Sequence, residues 1–152
     1  MHTTPALRLL WLPGEFAICR FDAGEALPES VRGALDSRCV AASATTSAAR
    51  PSCSSLLSVV RTDDEVSVVC ADRLVPDGTR AERGFRAFRV AGTLDFGLVG
   101  VIARLAAPLA DAAIPIFVVS TFDTDHVLVR SAHAAAAARV LRSAGYEQEN
   151  AP

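Results

Sequence analysis

Acidic side chains lie where predicted elements of the chain begin or end. Asp95 comes directly before an apolar helix predicted over 96–112, while Asp123 and Asp125 lie in a tight turn after an apolar strand at 114–121. The first amide hydrogens of a helix have no partner within the helix, so Asp95 either caps them or lies beside them in a polar pocket. In such a pocket the free amides would bind a ligand carboxylate, and Asp95 would bind a ligand amine.

The hairpin turn has two interpretations as well. Short acidic side chains in a turn commonly bond to the backbone amides of that turn, but a carboxylate at Asp125 can instead bind a ligand amine. Asp123, Asp125 and His126 would bring three metal ligands to one turn, yet the chain offers no other His or Cys cluster to complete a shell. We therefore expect no metal, and ligand binding by Asp125 stays open beside a structural role.

Hydroxyl groups at Ser120 and Thr121 end the apolar strand and bond either to a ligand or to the turn. The three histidines are His2 near the start, His126 at the beginning of a strand and His133 in the first turn of a helix. None of them accompanies a nucleophile and an orienting acid, which nucleophilic and acid-base catalysis require. The sequence therefore shows no machinery for catalysis, and we expect neither an enzyme nor a cofactor.

The composition is that of a globular protein with one ordinary domain or two very small ones. Of the 152 residues, 51% are hydrophobic and 21% are charged, and the formal net charge is -2. Because the chain has no cluster of basic residues, its charge does not indicate nucleic-acid binding. The four cysteines lack metal-site spacing and read as isolated thiols, and no apolar run is long enough to span a bilayer. We expect a cytoplasmic protein without a membrane or nucleic-acid partner.

The elements that must position these side chains lie between Phe85 and Tyr146. They are a strand at 85–90, the helix at 96–112, a hairpin of 114–121 with 126–129, and an alanine-rich helix from Ser131 to Gly145. Strand, helix, hairpin and helix in this order make up most of a split βαβ motif. We therefore predict an α+β fold in which antiparallel strands carry the helices on one face.

The N-terminal half shows a similar organisation. Its predicted elements are a hairpin of 7–12 with 15–21 around Pro13-Gly14, a short helix at 26–35, and a second hairpin of 56–61 with 66–70. A shift of 61 positions places the second hairpin on the later one and Asp64 on Asp125, which indicates two related units in tandem. We place these units at 1–78 and 79–152, with a mobile serine- and alanine-rich loop at 41–55.

The residues from Leu94 to Val129 resemble the ACT domain. The Leu-Asp-Phe-Gly stretch at 94–97 opens the helix, and the Ser-Thr-Phe-x-x-Asp stretch at 120–125 is the most specific part of the likeness. The chain is similar to small tandem-ACT proteins of bacteria, which are similar to the animal cytosolic arginine sensors. This resemblance covers most of residues 7–146.

The resemblance implies tandem ferredoxin-like ACT units that bind a small amino acid at an interface between units. It implies a non-catalytic regulatory or sensor role, a homodimer, and a regulated protein partner. The residues that match the family's ligand-binding loops are Asp95, Phe96, Gly97, Thr121, Phe122 and Asp125, with Ser58 and Val59 on a strand of the first unit. The site lies either within one chain or between two chains. The alternative function is a structural or protein-interaction ACT module without a small-molecule ligand.

Overall fold

A computed structural model describes residues 7–36 and 56–152 of the chain. The strands are β1 (Arg8–Trp11), β2 (Phe16–Asp22), β3 (Ser58–Arg61), β4 (Glu65–Ala71), β5 (Ala81–Val90), β6 (Ile116–Ser120), β7 (Asp125–Arg130) and β8 (Glu147–Glu149). The helices are α1 (Glu29–Asp36), α2 (Val101–Asp111) and α3 (Ala134–Ser143). The predicted α+β class is confirmed, while the predicted mobile loop at 41–55 lies outside the described residues.

The chain divides into two compact units. Residues up to Glu15 and from Gly84 onward form one of them, here named the terminal unit, and residues 16–83 form the central unit. This division differs from the predicted one at 1–78 and 79–152, because β1 lies with the C-terminal elements. In neither unit does the described part of the chain contain a helix that is both long and apolar enough to cross a membrane.

The terminal unit has the ferredoxin-like order β5-α2-β6-β7-α3-β8. Its strands lie side by side as β6-β7-β5-β1-β8, all antiparallel except the β1–β8 pair. The core residues from strands and helices include Leu9, Trp11, Phe88, Val90, Val127, Val129, Leu105, Leu109, Ala137 and Leu141. Burial of this apolar set between sheet and helices is the main stabilising contribution to the unit.

The predicted N-terminal hairpin is wrong in its pairing. Both strands form, but β1 pairs with β5 and β8 whereas β2 pairs with β4. Trp11 lies opposite Phe88 across β1 and β5, with their ring centroids 4.9 Å apart. The Trp11 indole Nε1 also donates a hydrogen bond of 2.8 Å to Gln148 Oε1 on β8. Apolar alternation identified the strand, but only packing selected its partners.

The central unit combines β2, α1, β3 and β4, and its strands lie side by side as β3-β4-β2. Cys19 and Cys70 are buried in its core and are neighbours, not isolated thiols. A hydrogen bond from the Cys70 thiol lowers the pKa of Cys19, and the same bond together with burial raises the pKa of Cys70. Cys39 and Cys53 lie outside the described residues.

The β3–β4 and β6–β7 hairpins contain the same hydrogen-bonded turn. In the first, the Thr62 amide donates to the Glu65 carbonyl at 2.9 Å, and the Thr62 hydroxyl accepts from the Glu65 amide at 3.2 Å. In the second, the Thr121 amide and hydroxyl make the equivalent bonds to Thr124 at 2.9 and 3.2 Å. Each threonine therefore closes its turn in the same way.

Equivalent residues of these hairpins are 59 positions apart, not 61. Arg61 pairs with Val66, and Ser120 pairs with Asp125 at the same place in the second ladder. The predicted alignment of Asp64 with Asp125 is therefore wrong, because Val66 occupies that position. An error of two residues is difficult to detect in a strand, since side chains return to the same face every second residue.

Candidate functional site

The loop between β5 and α2 leaves the start of α2 open. The helix begins at Val101, five residues after the predicted start, and Gly100 precedes it in the left-handed conformation with φ of 80°. Gly100 has no side chain to accept from the first amides, and no side chain in the described part of the chain caps them. These amides carry the positive end of the helix dipole and suit an anionic group.

Asp95 does not cap α2 as one interpretation predicted. Its Oδ1 accepts a hydrogen bond of 2.7 Å from the Gly97 amide, and its carbonyl accepts one of 2.9 Å from Leu98. A Cβ on residue 97 would lie only 3.0 Å from Asp95 Oδ1, so a larger residue there would displace this carboxylate. The side chain of Asp95 therefore shapes the loop six positions before the first residue of the helix.

The hairpin turn is attached to this loop by backbone and side-chain bonds. The Leu94 amide donates to the Asp123 carbonyl at 2.7 Å. The buried Thr124 hydroxyl donates to the Val90 carbonyl at the end of β5, at 2.8 Å. Thr121 closes the turn through Thr124, so its hydroxyl serves the structure of the turn. Together these bonds hold the two loops side by side at one end of the terminal unit.

Asp125 is half-buried at this end of the sheet, whereas Asp95 and Asp123 are exposed. Ser120 Oγ donates to Asp125 Oδ1 at 2.5 Å, and within the described chain no partner contacts the other carboxylate oxygen. Strand alternation places Asp125 on the helix face with Val127, and His126 on the opposite face. Asp125 and His126 therefore do not converge, and the described residues contain no group of three or more metal-ligating side chains.

A cavity of about 380 Å³ lies between the two loops, within the range of small-molecule sites. Its lining residues are Leu94, Asp95, Phe96, Leu98, Gly100, Val101, Ile102, Ala103, Ser120, Thr121, Phe122, Asp123, Thr124 and Asp125. The lining carries three carboxylates, and none of the described residues that form it is basic. Open amides and unneutralised carboxylates in one cavity complement a ligand that carries both charges.

Most of the predicted ligand-binding residues come together at this cavity. Asp95, Phe96, Thr121, Phe122 and Asp125 line it. Gly97 supports it through its bond to Asp95 and is not itself a lining residue. Ser58 and Val59 lie on β3 of the central unit, half-buried and 38% exposed respectively. Their place in a binding site stays a prediction.

Gly100 and Thr124 contribute to the site but were not among the residues predicted to bind the ligand. Gly100 leaves the helix start uncapped, and Thr124 fixes the turn against β5. A glycine three residues after Gly97 was visible in the sequence as a possible helix boundary. The role of Thr124 could not be predicted from neighbouring residues, because its hydroxyl bonds to a backbone carbonyl 34 positions away.

Two aromatic rings flank the cavity. Phe96 and Phe122 lie with ring centroids 5.1 Å apart and planes at 73°, an edge-to-face arrangement. Each is 80% exposed, and Val99 in the same loop is 90% exposed. Exposed apolar side chains grouped in this way are common on surfaces that bind another molecule.

Because His126 is buried, we expect the folding stability of the protein to depend on pH. Burial, followed by the nearby Arg89 guanidinium, lowers the pKa of His126 below its ordinary value of 6.5. The unfolded chain therefore takes up this proton first as the pH falls below about 6.5, so folding stability is present above that pH and declines below it. We expect His126→Gln to reduce the loss of unfolding free energy between about pH 7 and pH 5. Urea unfolding of the wild type and of His126→Gln at both pH values measures this loss. An equal loss of unfolding free energy in the two proteins would contradict the prediction.

The terminal unit has the ferredoxin-like ACT fold, and residues 80–143 match the family model of the ACT domain. The chain belongs to the same family as protein Atu0741 of Agrobacterium tumefaciens, to which it is 32% identical. That similarity covers 96% of this chain and 94% of the other, with a TM-score of 0.75. No curated protein sequence matches the chain.

More distant solved structures share the fold. Protein VC0802 of Vibrio cholerae, described as a possible transport protein, is 17% identical with a TM-score of 0.62, over 91% of this chain and 90% of that one. The regulatory subunit of aspartate kinase from Thermus thermophilus is 13% identical with a TM-score of 0.55, over 91% and 96%. At these identities the likeness establishes the ferredoxin-like ACT fold alone.

Proposed function

We propose that this chain is a non-catalytic regulatory or sensor module that binds a small amino acid in the cavity of the terminal unit. The observation that carries the proposal is the uncapped start of α2 facing the carboxylate-bearing turn across one cavity. The ligand carboxylate would bind the amides at the start of α2, and its ammonium group would bind the unpartnered oxygen of Asp125. The regulatory role is supported by the ACT-domain match and by the aspartate kinase subunit with the same fold.

The proposal includes a second ACT unit that completes the site, in a cytoplasmic homodimer. Exposed apolar side chains support it, because Phe96 and Phe122 border the cavity, Val99 lies in the same loop as Phe96, and such a unit would cover all three. The matching turns of the two hairpins support two related units in tandem, as in the bacterial proteins and animal arginine sensors that the sequence resembles. A change in this interface on ligand binding would reach the regulated protein partner.

Isothermal titration of the full chain with single amino acids tests the proposed function. We expect saturable binding of at least one of them. Aspartate and glutamate should bind most weakly, because the cavity lining holds three carboxylates and the part of the chain described here adds no basic residue to it. The oligomeric state is measured in the same buffer, and dimeric protein that binds none of the amino acids would overturn the proposal.

A structural or protein-interaction module without a small ligand is the second candidate. The exposed Phe96, Val99 and Phe122 favour it, since a protein surface can cover them as well as a second copy can. Native mass spectrometry distinguishes the two functions. A purified protein that carries no small molecule, and that binds a defined protein partner with or without added amino acids, would favour this candidate.

A further inference from the structure

The equivalent turns of the two units differ at the two positions that matter for the candidate site. Where the terminal unit has Asp125, the central unit has Val66, which is fully buried and offers no carboxylate. Where the terminal unit has Ser120, the central unit has Arg61. The central turn therefore lacks the acid proposed to bind the ligand amine, and it carries a long cationic side chain in place of a small hydroxyl.

Arg61 connects its turn to the loop that follows β2. Its Nη1 donates a hydrogen bond of 2.6 Å to the Ala23 carbonyl. This loop corresponds to the one between β5 and α2, because β2 pairs with β4 as β5 pairs with β7. The residue at the position of Ser120 thus spans the space that is open between the equivalent loops of the terminal unit.

Two acidic groups near the central turn, Glu65 and Asp22, are paired with Arg20, whereas the carboxylates of Asp63 and Asp64 have no salt-bridge partner among the described residues. Arg20 donates to Glu65 Oε2 and to Asp22 Oδ1, at 2.8 Å in each case. The cavity beside the β2–α1 loop is lined on its other side by residues 76–80, and no residue of the turn at 61–66 lines it. The cavity of the central unit therefore lies away from its hairpin turn, whereas the terminal cavity is lined by the turn that carries Asp123 and Asp125.

We infer that the chain binds one amino acid per protomer, in the terminal unit, and that Arg61 and Val66 keep the equivalent turn of the central unit closed. This inference rests on the proposed function and adds its stoichiometry and the residues that set it. Two structurally equivalent turns thus have different roles: one binds the ligand and the other is held by the protein's own arginine.

The stoichiometry is the first test. Titration of the full chain should give one ligand per protomer, and Asp125→Asn should weaken all of that binding without leaving a second phase of wild-type affinity. Two ligands per protomer, or half of the binding remaining in Asp125→Asn, would overturn the inference while leaving the proposed function intact. Failure of every amino acid to bind would instead overturn the proposed function.

Hydrogen exchange tests the role of Arg61 without any ligand. The Glu25 amide donates to the Asp22 carbonyl at 2.9 Å inside the loop that Arg61 holds. Arg61→Ser should speed its exchange about two- to tenfold, the effect of losing one hydrogen bond. Arg32→Ser is the matched control, because Arg32 pairs with Glu29 within α1. Equal exchange at Glu25 in wild type and Arg61→Ser would show that Arg61 does not close the turn.

Discussion

Replacement of Asp125 by asparagine is expected to weaken amino-acid binding at least about tenfold, because the ligand ammonium loses its charged acceptor. A hydrogen bond to a charged group contributes about 1.5–3 kcal/mol, and about 1.4 kcal/mol corresponds to a factor of ten in affinity. Asparagine retains the shape of the side chain and an oxygen that accepts from Ser120. The substitution therefore tests charge with little change to the turn.

Asp64→Asn is the matched control for this experiment. The sequence alignment at 61 positions places Asp64 on Asp125, whereas the ladder of the two hairpins places Val66 there. Isothermal titration should give unchanged affinity for Asp64→Asn. Equal losses in both variants would contradict the site at Asp125, and a loss in Asp64→Asn alone would favour the alignment at 61 positions.

Leu105→Ala is expected to destabilise the terminal unit by about 2–5 kcal/mol, the usual cost of removing a large core side chain. Leu105 lies on the buried face of α2, is 0% exposed, and belongs to the core that also contains Trp11. Truncation removes apolar contacts and leaves a cavity that the surrounding helices and strands fill only in part. Because α2 also supplies the amides of the candidate site, loss of this packing would loosen the site as well.

Urea unfolding followed by tryptophan fluorescence measures this effect in the correct unit, because Trp11 is the one tryptophan of the chain and is 1% exposed in the same core. Arg104→Ala on the exposed face of α2 is the control and should change stability by less than about 0.5 kcal/mol. A Leu105→Ala protein as stable as this control would show that α2 does not pack as described.

Sequence patterns were sufficient for the elements that depend on local rules. The β3–β4 and β6–β7 hairpin turns and α3 follow from apolar alternation, helical spacing and turn residues, and each forms near its predicted position. Gly145, predicted as the left-handed stop of the last helix, follows α3 with φ of 91°. These features are encoded within a few neighbouring residues, so one segment of sequence is enough to predict them.

The start of α2 shows where local rules failed. Asp95 before an apolar run is a typical N-cap signal, but its carboxylate bonds to Gly97 and the helix begins at Val101. The turn at 95–100 is attached to the hairpin by the bond from Leu94 to Asp123, 29 positions later. A capping pattern contains no information about such a partner, and the shift of the helix start is what leaves its amides open.

The sequence by itself determined the α+β class, the hairpin turns and five of the residues that line the cavity, because these depend on residue type and short spacing. Tertiary structure alone decided that β1 joins the C-terminal elements, that the two hairpins correspond at 59 positions, and that Ser120 and Arg61 occupy equivalent places. Strand pairing depends on which of several similar apolar faces pack together. Side chains alternate between the two faces of every strand, so this alternation is compatible with several pairings. Packing in three dimensions selected one of them.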